Sequence, residues 1–488
     1  MMSRPTGSTG SATNLAKAAK GSPSVRRVLA SLALSVLLSS LGTSIANVGL
    51  PTLAQAFSAP FQQVQWVVLA YLLAITTLIV GVGRLGDLVG RRRLLLTGIF
   101  LFTIASVLCG GAPTLGLLVA ARAAQGLGAA VMMALTMAFV ADVVPAEKTG
   151  RAMGLLGTTS AIGTALGPSL GGILISTLGW RAIFFIMVPL GALALLLAHR
   201  DLPADARASR TGRAGFDGVG TLLLAVTLAA YALAMTVGRG NFAVLNLALL
   251  LAAAIGVGLV VFVESRVDSP LIRLELLCNP VLGSSLATSV LVSTVMMATL
   301  VVGPFYLSRS LGLDAAGVGL VMTVGPLAAA LAGVTAGGFV DRLGSRRMTI
   351  AGLIGIAAGC CLLARMPVRL GVSGYIASMV VITASYALFQ TANNTAVMTG
   401  IGRDLRGVIS GMLNLSRNIG LLTGASVMGA VFAFASKSAV IAATRADAVA
   451  AGMRTTFAVA AVLIACALAI AAGASALPSA RAFGKGAH

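Results

Sequence analysis

Apolar stretches long enough to cross a bilayer, roughly twenty residues each, recur along the whole chain and constrain its fold most strongly. Hydrophobic residues make up 58% of the 488 residues and charged residues only 10%. A water-soluble domain cannot bury that much apolar surface. We therefore predict an all-α membrane protein with fourteen transmembrane helices. The predicted helices are 28–50, 64–86, 94–112, 114–140, 152–177, 181–199, 217–237, 243–263, 281–306, 315–338, 348–366, 371–396, 405–433 and 454–476.

Positive charge is concentrated in alternate connections between these helices. The formal net charge of +21 would fit nucleic-acid binding in a soluble protein. Here the bases lie in short loops between apolar spans, so we expect a lipid bilayer and no nucleic acid as partner. If the N-terminus is placed in the cytoplasm, most lysines and arginines of the loops lie on the cytoplasmic side. Because the number of helices is even, the C-terminus is then cytoplasmic as well. Arginine predominates over lysine, which is typical of GC-rich bacteria. We expect a multi-pass protein of a bacterial cytoplasmic (inner) membrane.

Two polar loops, 200–216 and 264–280, divide the predicted helices into sets of six, two and six. The segment before the first helix is rich in serine, glycine and basic residues and has no acid, which is typical of a disordered tail. The apolar segment after it is too long for a cleavable signal. The predicted parts are a cytoplasmic tail (1–27), a six-helix bundle (28–199), a basic loop with two inserted helices and a linker (200–280), a second six-helix bundle (281–476) and a cytoplasmic tail (477–488).

A short motif occurs twice, after the second and after the tenth predicted helix. Residues 83–93 read GRLGDLVGRRR and residues 337–347 read GGFVDRLGSRR, with Gly, Asp, Gly and Arg in register. Glycines permit a tight turn, the aspartate can cap a facing helix, and the arginines can bridge the two halves. One hypothesis is a gate that opens and closes at the cytoplasmic end of the helices. The other is a simple turn whose arginines keep this loop in the cytoplasm. The candidate gating residues are Gly83, Asp87, Gly90, Arg91, Arg92, Asp341, Gly344 and Arg346.

The paired motifs, together with four further stretches, resemble the major facilitator superfamily and, within it, the fourteen-helix drug:proton antiporter family. Residues 41–51 resemble that family's first-helix signature, and residues 122–128 its fourth-helix arginine signature. The glycines and proline of the fifth helix resemble its antiporter signature, and Gly179-Trp180-Arg181 the start of its sixth helix. The resemblance implies the major facilitator fold with two pseudo-symmetric halves. It also implies export of small compounds in exchange for protons, with the proton gradient as energy source and no cofactor.

The fifth predicted helix carries small residues and a proline at regular spacing. Small residues let another helix approach closely, and a proline removes one helical hydrogen bond. The resemblance implies a hinge, whereas the residues alone also fit ordinary tight packing. The candidate hinge residues are Gly163, Gly167, Pro168 and Gly171.

Arg122 and Arg417 lie inside apolar spans, where a charge is costly and therefore indicates function. Amides share helix faces with both arginines, so these faces are predicted to line a water-filled cavity. Interhelical hydrogen bonding that only holds the bundle together is an equally open interpretation for the asparagines. The candidate substrate-binding residues are Asn47, Tyr71, Gln125, Met133, Gln390, Asn393, Asn394, Asn414, Arg417 and Asn418.

The thirteen acidic residues all lie in loops or near span ends. The family pattern usually has an acid in the first helix, where this chain has Gly42. A carboxylate is the natural carrier of a proton and partner of a cationic drug. Arg122 and Asp142, at the inner end of the fourth helix, are the remaining candidates for coupling.

These observations predict a proton-coupled exporter of small amphipathic or apolar compounds, such as drugs or antibiotics, that works by alternating access as a monomer. Neutral or anionic substrates are favoured, because the buried charges are arginines. A facilitator or importer of an organic anion, or a non-transporting membrane sensor, are the alternatives. No catalytic constellation or metal-ligand spacing is present in the sequence, so we expect neither an enzyme nor a metal site.

Overall fold

The computed structural model describes most of the chain. The described residues are 25–79, 81–144, 149–203, 218–237, 244–266, 279–398, 403–436 and 446–476. The predicted tails lie almost wholly outside this part, as does most of the loop 200–216.

Fourteen helices in the described residues are long and apolar enough to cross a membrane, which confirms the predicted number. No strand occurs in that part of the chain. The spans are α1 (Val25–Val48), α2 (Phe61–Leu78), α3 (Arg91–Gly111), α4 (Leu115–Val140), α5 (Leu155–Leu178), α6 (Ala182–Asp201), α7 (Gly218–Thr236), α8 (Val244–Glu264), α9 (Pro280–Ser310), α10 (Ala315–Leu343), α11 (Ser345–Arg365), α12 (Gly371–Met398), α13 (Gly411–Ala435) and α14 (Ala446–Gly473).

Glycines end two spans earlier than predicted. The first helix, predicted to reach residue 50, ends at Val48, and a short helix, Leu50–Ala56, follows Gly49 with a proline in its first turn. The second span, predicted as 64–86, ends at Leu78, and a separate helix, Val82–Val89, follows Gly81. Glycine is a poor helix former, which favours a break at both sites, and at the first site Pro51 is accommodated where no backbone N–H is needed.

The two sets of six helices have the same internal packing. In the first set, α1 contacts α4, α5 and α6, α2 contacts α4, and α3 contacts α4 and α6. In the second set, α9 contacts α12, α13 and α14, α10 contacts α12, and α11 contacts α12 and α14. Each contact in the first set therefore has an equivalent in the second, between helices whose numbers are higher by eight. The chain therefore consists of two pseudo-symmetric halves, α1–α6 and α9–α14.

The inserted pair, α7 and α8, lies beside one of the two seams between the halves. The halves meet where α5 packs on α10 and, symmetrically, where α2 meets α13. Helix α7 contacts both α2 and α13, and the Trp66 indole N–H donates to the Thr236 hydroxyl at 3.1 Å. Helix α8 packs on α7, and its Leu247 is 69% exposed. The insertion thus widens the bundle on one side with a lipid-facing helix.

Successive spans cross in alternate directions, so both Gly–Asp–Gly–Arg motifs lie at the end of the bundle where α1 begins. We call this end the repeat face, marked by Gly90 and Gly344. The other end is the opposite face, marked by residues 49–60 and 311–314.

Candidate functional site

Both motif loops turn at an equivalent glycine. Gly90 has φ +103° and Gly344 has φ +85°, a region that residues with a Cβ rarely adopt. Gly83 has open space where a Cβ would lie. The tight-turn part of the hypothesis therefore matches the backbone at both loops.

The motif side chains do not make equivalent contacts. A terminal nitrogen of Arg92 donates to the carbonyl oxygen of His199, at the end of α6, at 2.5 Å. Arg91 packs with its Cγ 3.3 Å from the Cβ position of Gly86. Asp341 is exposed, and no hydrogen bond or ion pair of its carboxylate occurs among the described residues. The side chain of Asp87 lies outside the described part of the chain.

Three glycines spaced four residues apart line the side of α5 that faces α1: Gly163, Gly167 and Gly171. A Cβ at Gly163 would lie 2.9 Å from the Leu37 carbonyl oxygen, and one at Gly171 would lie 2.8 Å from Ile45 Cγ1. The space beside Gly167 is filled by Ser44, whose hydroxyl also donates to the Gly163 carbonyl at 3.3 Å. The two helices are therefore in backbone contact over two turns.

The adjoining side of α5 contacts α10 of the other half. A Cβ at Gly172 would lie 3.0 Å from the Gly319 Cα. A Cβ at Gly319 would meet the carbonyl oxygen of Pro168, which lies inside the continuous helix. The candidate hinge residues thus occupy the crossing where α5 touches both α1 and α10.

Arg122 is buried inside the first half, in what we call the N-half arginine cluster (Arg122, Tyr71, Gln125 and Ser106). It is 0% exposed. Its Nε donates to the Val67 backbone carbonyl at 2.9 Å, and Nη1 donates to the side-chain amide oxygen of Gln125 at 2.5 Å. The guanidinium carbon lies 4.1 Å from the centroid of the Tyr71 ring, a cation–π contact.

Further hydrogen bonds connect this cluster to neighbouring helices. The Gln125 amide donates to the Ser106 hydroxyl at 2.7 Å, and the Tyr71 hydroxyl donates to the Ser39 carbonyl at 2.9 Å. Nη2 of Arg122 has no partner, and no carboxylate contacts this guanidinium in the described part of the chain. A buried cation without a counterion is costly, which favours a functional reason for its presence. Asp142, the other coupling candidate, has its side chain outside the described part.

Arg417 has a different environment, the C-half arginine cluster (Arg417, Gln390 and Tyr386). The Gln390 amide oxygen accepts from both terminal nitrogens of Arg417, at 2.9 and 2.8 Å, in the amide orientation that satisfies both groups. In that orientation its nitrogen donates to the Tyr386 hydroxyl at 3.2 Å. All three side chains are half-buried. This cluster therefore presents a cation from within α12 and α13, and the partners of that cation among the described residues are neutral.

The remaining amides are divided among other contacts. Asn393 faces α9, where its amide nitrogen donates to the Ser289 hydroxyl at 3.0 Å and the Ser285 carbonyl at 3.3 Å. Asn47 is fully buried and donates to the Thr43 carbonyl at 2.9 Å. The predicted set therefore does not form one surface.

The other candidate substrate-binding residues are distinguished by how far their side chains are exposed. Asn394 and Asn414 are half-buried, Asn418 is buried, and Met133 packs on the core of the first half. Tyr71 and Gln125 are fully buried with Arg122. The polar candidates that are half-buried therefore belong to the second half: Gln390, Asn394, Asn414 and Arg417.

Sequence reasoning missed an aromatic layer that closes the opposite face. Phe61 of α2 lies 4.9 Å from Phe305 of α9 and 5.4 Å from Phe432 of α13, between ring centroids. The amide of Gln65 fills the space beside Gly429. A phenylalanine in an apolar span carries no signal of its own, so only the packing of the halves identifies this contact.

Comparison with known proteins agrees with this architecture. The chain is 33% identical to "Multidrug resistance protein Stp" of Mycobacterium tuberculosis over 406 residues, covering 80% of this chain and 73% of that protein. It is 31% identical to "Riboflavin transporter RibZ" of Clostridioides difficile over 411 residues, covering 83% and 88%. These relatives are transporters.

Among solved structures, a bacterial homolog to the human lysosomal transporter Spinster, in an inward-facing and unoccupied conformation, has a TM-score of 0.69 at 17% identity. The match covers 93% of this chain and 97% of that chain, and it shows the fold. A model of the Major Facilitator Superfamily matches residues 32–425. With two pseudo-symmetric six-helix halves and this match over most of its length, the chain belongs to the major facilitator superfamily.

Proposed function

We propose that this transporter exports small amphipathic or apolar compounds in exchange for protons, and that it prefers neutral or anionic substrates. The observation that carries the preference is the C-half arginine cluster. Arg417 is a half-buried cation within a membrane span, and neutral groups are its partners in the described part of the chain. Described carboxylates such as Asp201, Glu264 and Asp341 lie at helix ends. An anionic group can replace the Gln390 amide at Arg417, whereas a cationic drug would be repelled.

We place the repeat face in the cytoplasm, because the basic loops lie there. Contact between the halves at the opposite face, through the aromatic layer and the Gly172–Gly319 crossing, supports a conformation closed to the outside. Towards the repeat face, Gly157 of α5 and Gly333 and Gly337 of α10 have open space beside them, and Val334 is 84% exposed. This pattern supports a cavity that opens to the cytoplasm, the state in which an exporter loads.

We assign coupling to Arg122 and Asp142. The support is the unpartnered Nη2 of Arg122, a buried donor that an anionic group or water would satisfy. The helix of span α4 continues past Val140 to Val143, so it carries both Arg122 and, at its repeat-face end, Asp142. Protonation of that carboxyl would change the charge balance along one helix.

The relatives support export of drug-like compounds without naming a substrate for this chain. One is named a multidrug resistance protein and another a riboflavin transporter. The alternative is a facilitator or importer of an organic anion, which the accessibility of Arg417 also favours. The tight crossing of α5 with α1 and α10, at the glycines that resemble the antiporter signature, is the reason for preferring export.

Purified protein in liposomes tests the substrate preference, with carboxyfluorescein as anionic probe and tetraphenylphosphonium as cationic probe. Arg417→Gln is expected to lower anion transport about 10- to 150-fold, because a charge-assisted hydrogen bond contributes about 1.5–3 kcal/mol. Arg417→Lys should retain part of the transport. Arg365→Gln, at the exposed end of α11, is the matched control and should transport like the wild type.

Faster transport of the cation than of the anion by the wild type would contradict the preference. An imposed pH gradient distinguishes proton-coupled export from facilitated transport. If export is coupled to protons, the pH gradient should drive the anion outward against its own concentration gradient. Transport that follows only the anion gradient, whatever the pH difference, would identify a facilitator.

A further inference from the structure

A cavity of about 340 Å³ lies at the repeat face within the second half, among α9, α11, α12 and α14. These four helices contact one another in a ring, so the cavity lies inside the half and not in the seam between the halves. Residues of the C-half arginine cluster do not line it. It is therefore a separate space from the proposed transport site.

Most of the side chains that line this cavity are polar, with Val281, Ile350, Ala396 and Ala471 as its apolar members, and one of the polar side chains is a cation. Its charged member is Arg346, and the lining contains no acid. Five hydroxyl groups and one amide complete the polar lining: Ser284, Ser285, Thr288, Ser345, Thr349 and Asn393. The hydroxyls of Ser284, Thr288 and Thr349 donate to carbonyls of their own helices, and the Asn393 amide donates to α9. Arg346 is therefore the lining group best suited to bind phosphate oxygens.

Two observations indicate that donors are available to a ligand. Ser285 is 7% exposed, lines the cavity, and its hydroxyl makes no hydrogen bond within the described part of the chain. Helix α11 begins at Ser345, directly after the turn at Gly344, so the free backbone N–H groups of its first turn lie beside the same space. A helix N-terminus adds a favourable field for an anion to the charge of Arg346.

The first half uses the equivalent arginine differently. Arg92 aligns with Arg346 in the repeated motif, and it donates to the His199 carbonyl at the end of α6. The counterpart of α6 is α14, which lines the cavity through Ala471. Arg346 makes no such bond with the described residues and is exposed. One copy of the motif thus holds its own helix end, whereas the other leaves its guanidinium available.

We propose that this cavity binds a phosphate-bearing anion through Arg346, Ser285 and the first turn of α11. Its volume exceeds that of a single phosphate group and suits a small phosphate monoester or a glycerophosphate headgroup. The shared chemistry is a phosphate dianion or diester at the guanidinium. A bound phosphate would connect α9 and α11 at the repeat face and thereby stabilise the second half.

The thermal stability of the full-length protein, purified in detergent, tests the site with glycerol 3-phosphate and inorganic phosphate as soluble probes. Nanodiscs of phosphatidylglycerol and of phosphatidylcholine test the lipid source. Arg346→Gln removes the cation, and Arg347→Gln makes the same charge change at the exposed neighbour that does not line the cavity. Ser285→Ala removes the free hydroxyl and leaves the surface charge unchanged.

A saturable rise in melting temperature with the soluble probes, retained in Arg347→Gln and shifted at least tenfold in concentration by Arg346→Gln, would support a soluble phosphate ligand. Stabilisation by phosphatidylglycerol over phosphatidylcholine with the same dependence on Arg346 would support a headgroup. Ser285→Ala should weaken the response several-fold in either case. Equal responses of wild type and Arg346→Gln, or equal losses in Arg346→Gln and Arg347→Gln, would overturn the proposal.

Discussion

Replacing Gly319 of α10 by alanine places a methyl group against the backbone of α5. The new Cβ would lie 3.0 Å from the Gly172 Cα and 3.1 Å from the Pro168 carbonyl carbon, and closer still to the carbonyl oxygen. These are backbone atoms, so no side-chain rotation relieves the overlap. The two helices, and with them the two halves, must separate at the opposite face.

The size of this effect follows from the cost of overpacking. Extra methylenes in a packed interior cost about 1–3 kcal/mol, which corresponds to a shift of roughly 5- to 150-fold in the balance between closed and open states. Gly333→Ala is the matched control, because it lies on the same helix with open space around the Cβ position. Both variants gain the same helix propensity, about 1 kcal/mol, so their difference isolates the contact between halves.

The assay is the distance between spin labels at Ala56 and Arg369, exposed positions in the two halves at the opposite face, in a background without native cysteines. Gly319→Ala is expected to increase the population with a long distance and to slow transport, whereas Gly333→Ala should match the wild type. Identical distance distributions for the two variants would refute the argument that this crossing holds the opposite face closed.

Two further variants test other parts of the structure. Arg122→Leu leaves the Val67 carbonyl and Gln125 without their donor, so transport should fall more than tenfold and stability by about 1–3 kcal/mol; an unchanged melting temperature and flux would contradict the buried network. Gly90→Ala should destabilise the protein by roughly 1–2 kcal/mol, because φ at this residue is +103°, whereas Gly83→Ala should be tolerated. Equal denaturant midpoints for these two glycine variants would refute the turn assignment.

Several features could be predicted from the sequence because their signals are local. Each span requires a continuous apolar stretch, and the fourteen stretches all became helices. The turn glycines of the two motifs are readable because the spacing repeats in register, and both have positive φ. The breaks after Val48 and Leu78 were placed too late, since a helix in an apolar context can continue or end at a glycine with little difference in free energy.

The environment of each polar side chain was decided only by the tertiary structure. Arg122 and Arg417 look alike in sequence, yet one is fully buried beside Tyr71 and the other is half-buried beside Gln390. Asn393 contacts α9 and lines the repeat-face cavity, although it lies only three residues from Gln390.

The physical reason lies in the solvent. In water, apolar periodicity identifies the buried side of a helix, but lipid is as apolar as a protein core, so both sides of a transmembrane helix have similar composition. The sequence therefore determined that this chain spans a membrane fourteen times as two related halves. Which arginine is reachable, where the aromatic layer closes the opposite face and which motif arginine lines a cavity depend on helix packing across hundreds of residues.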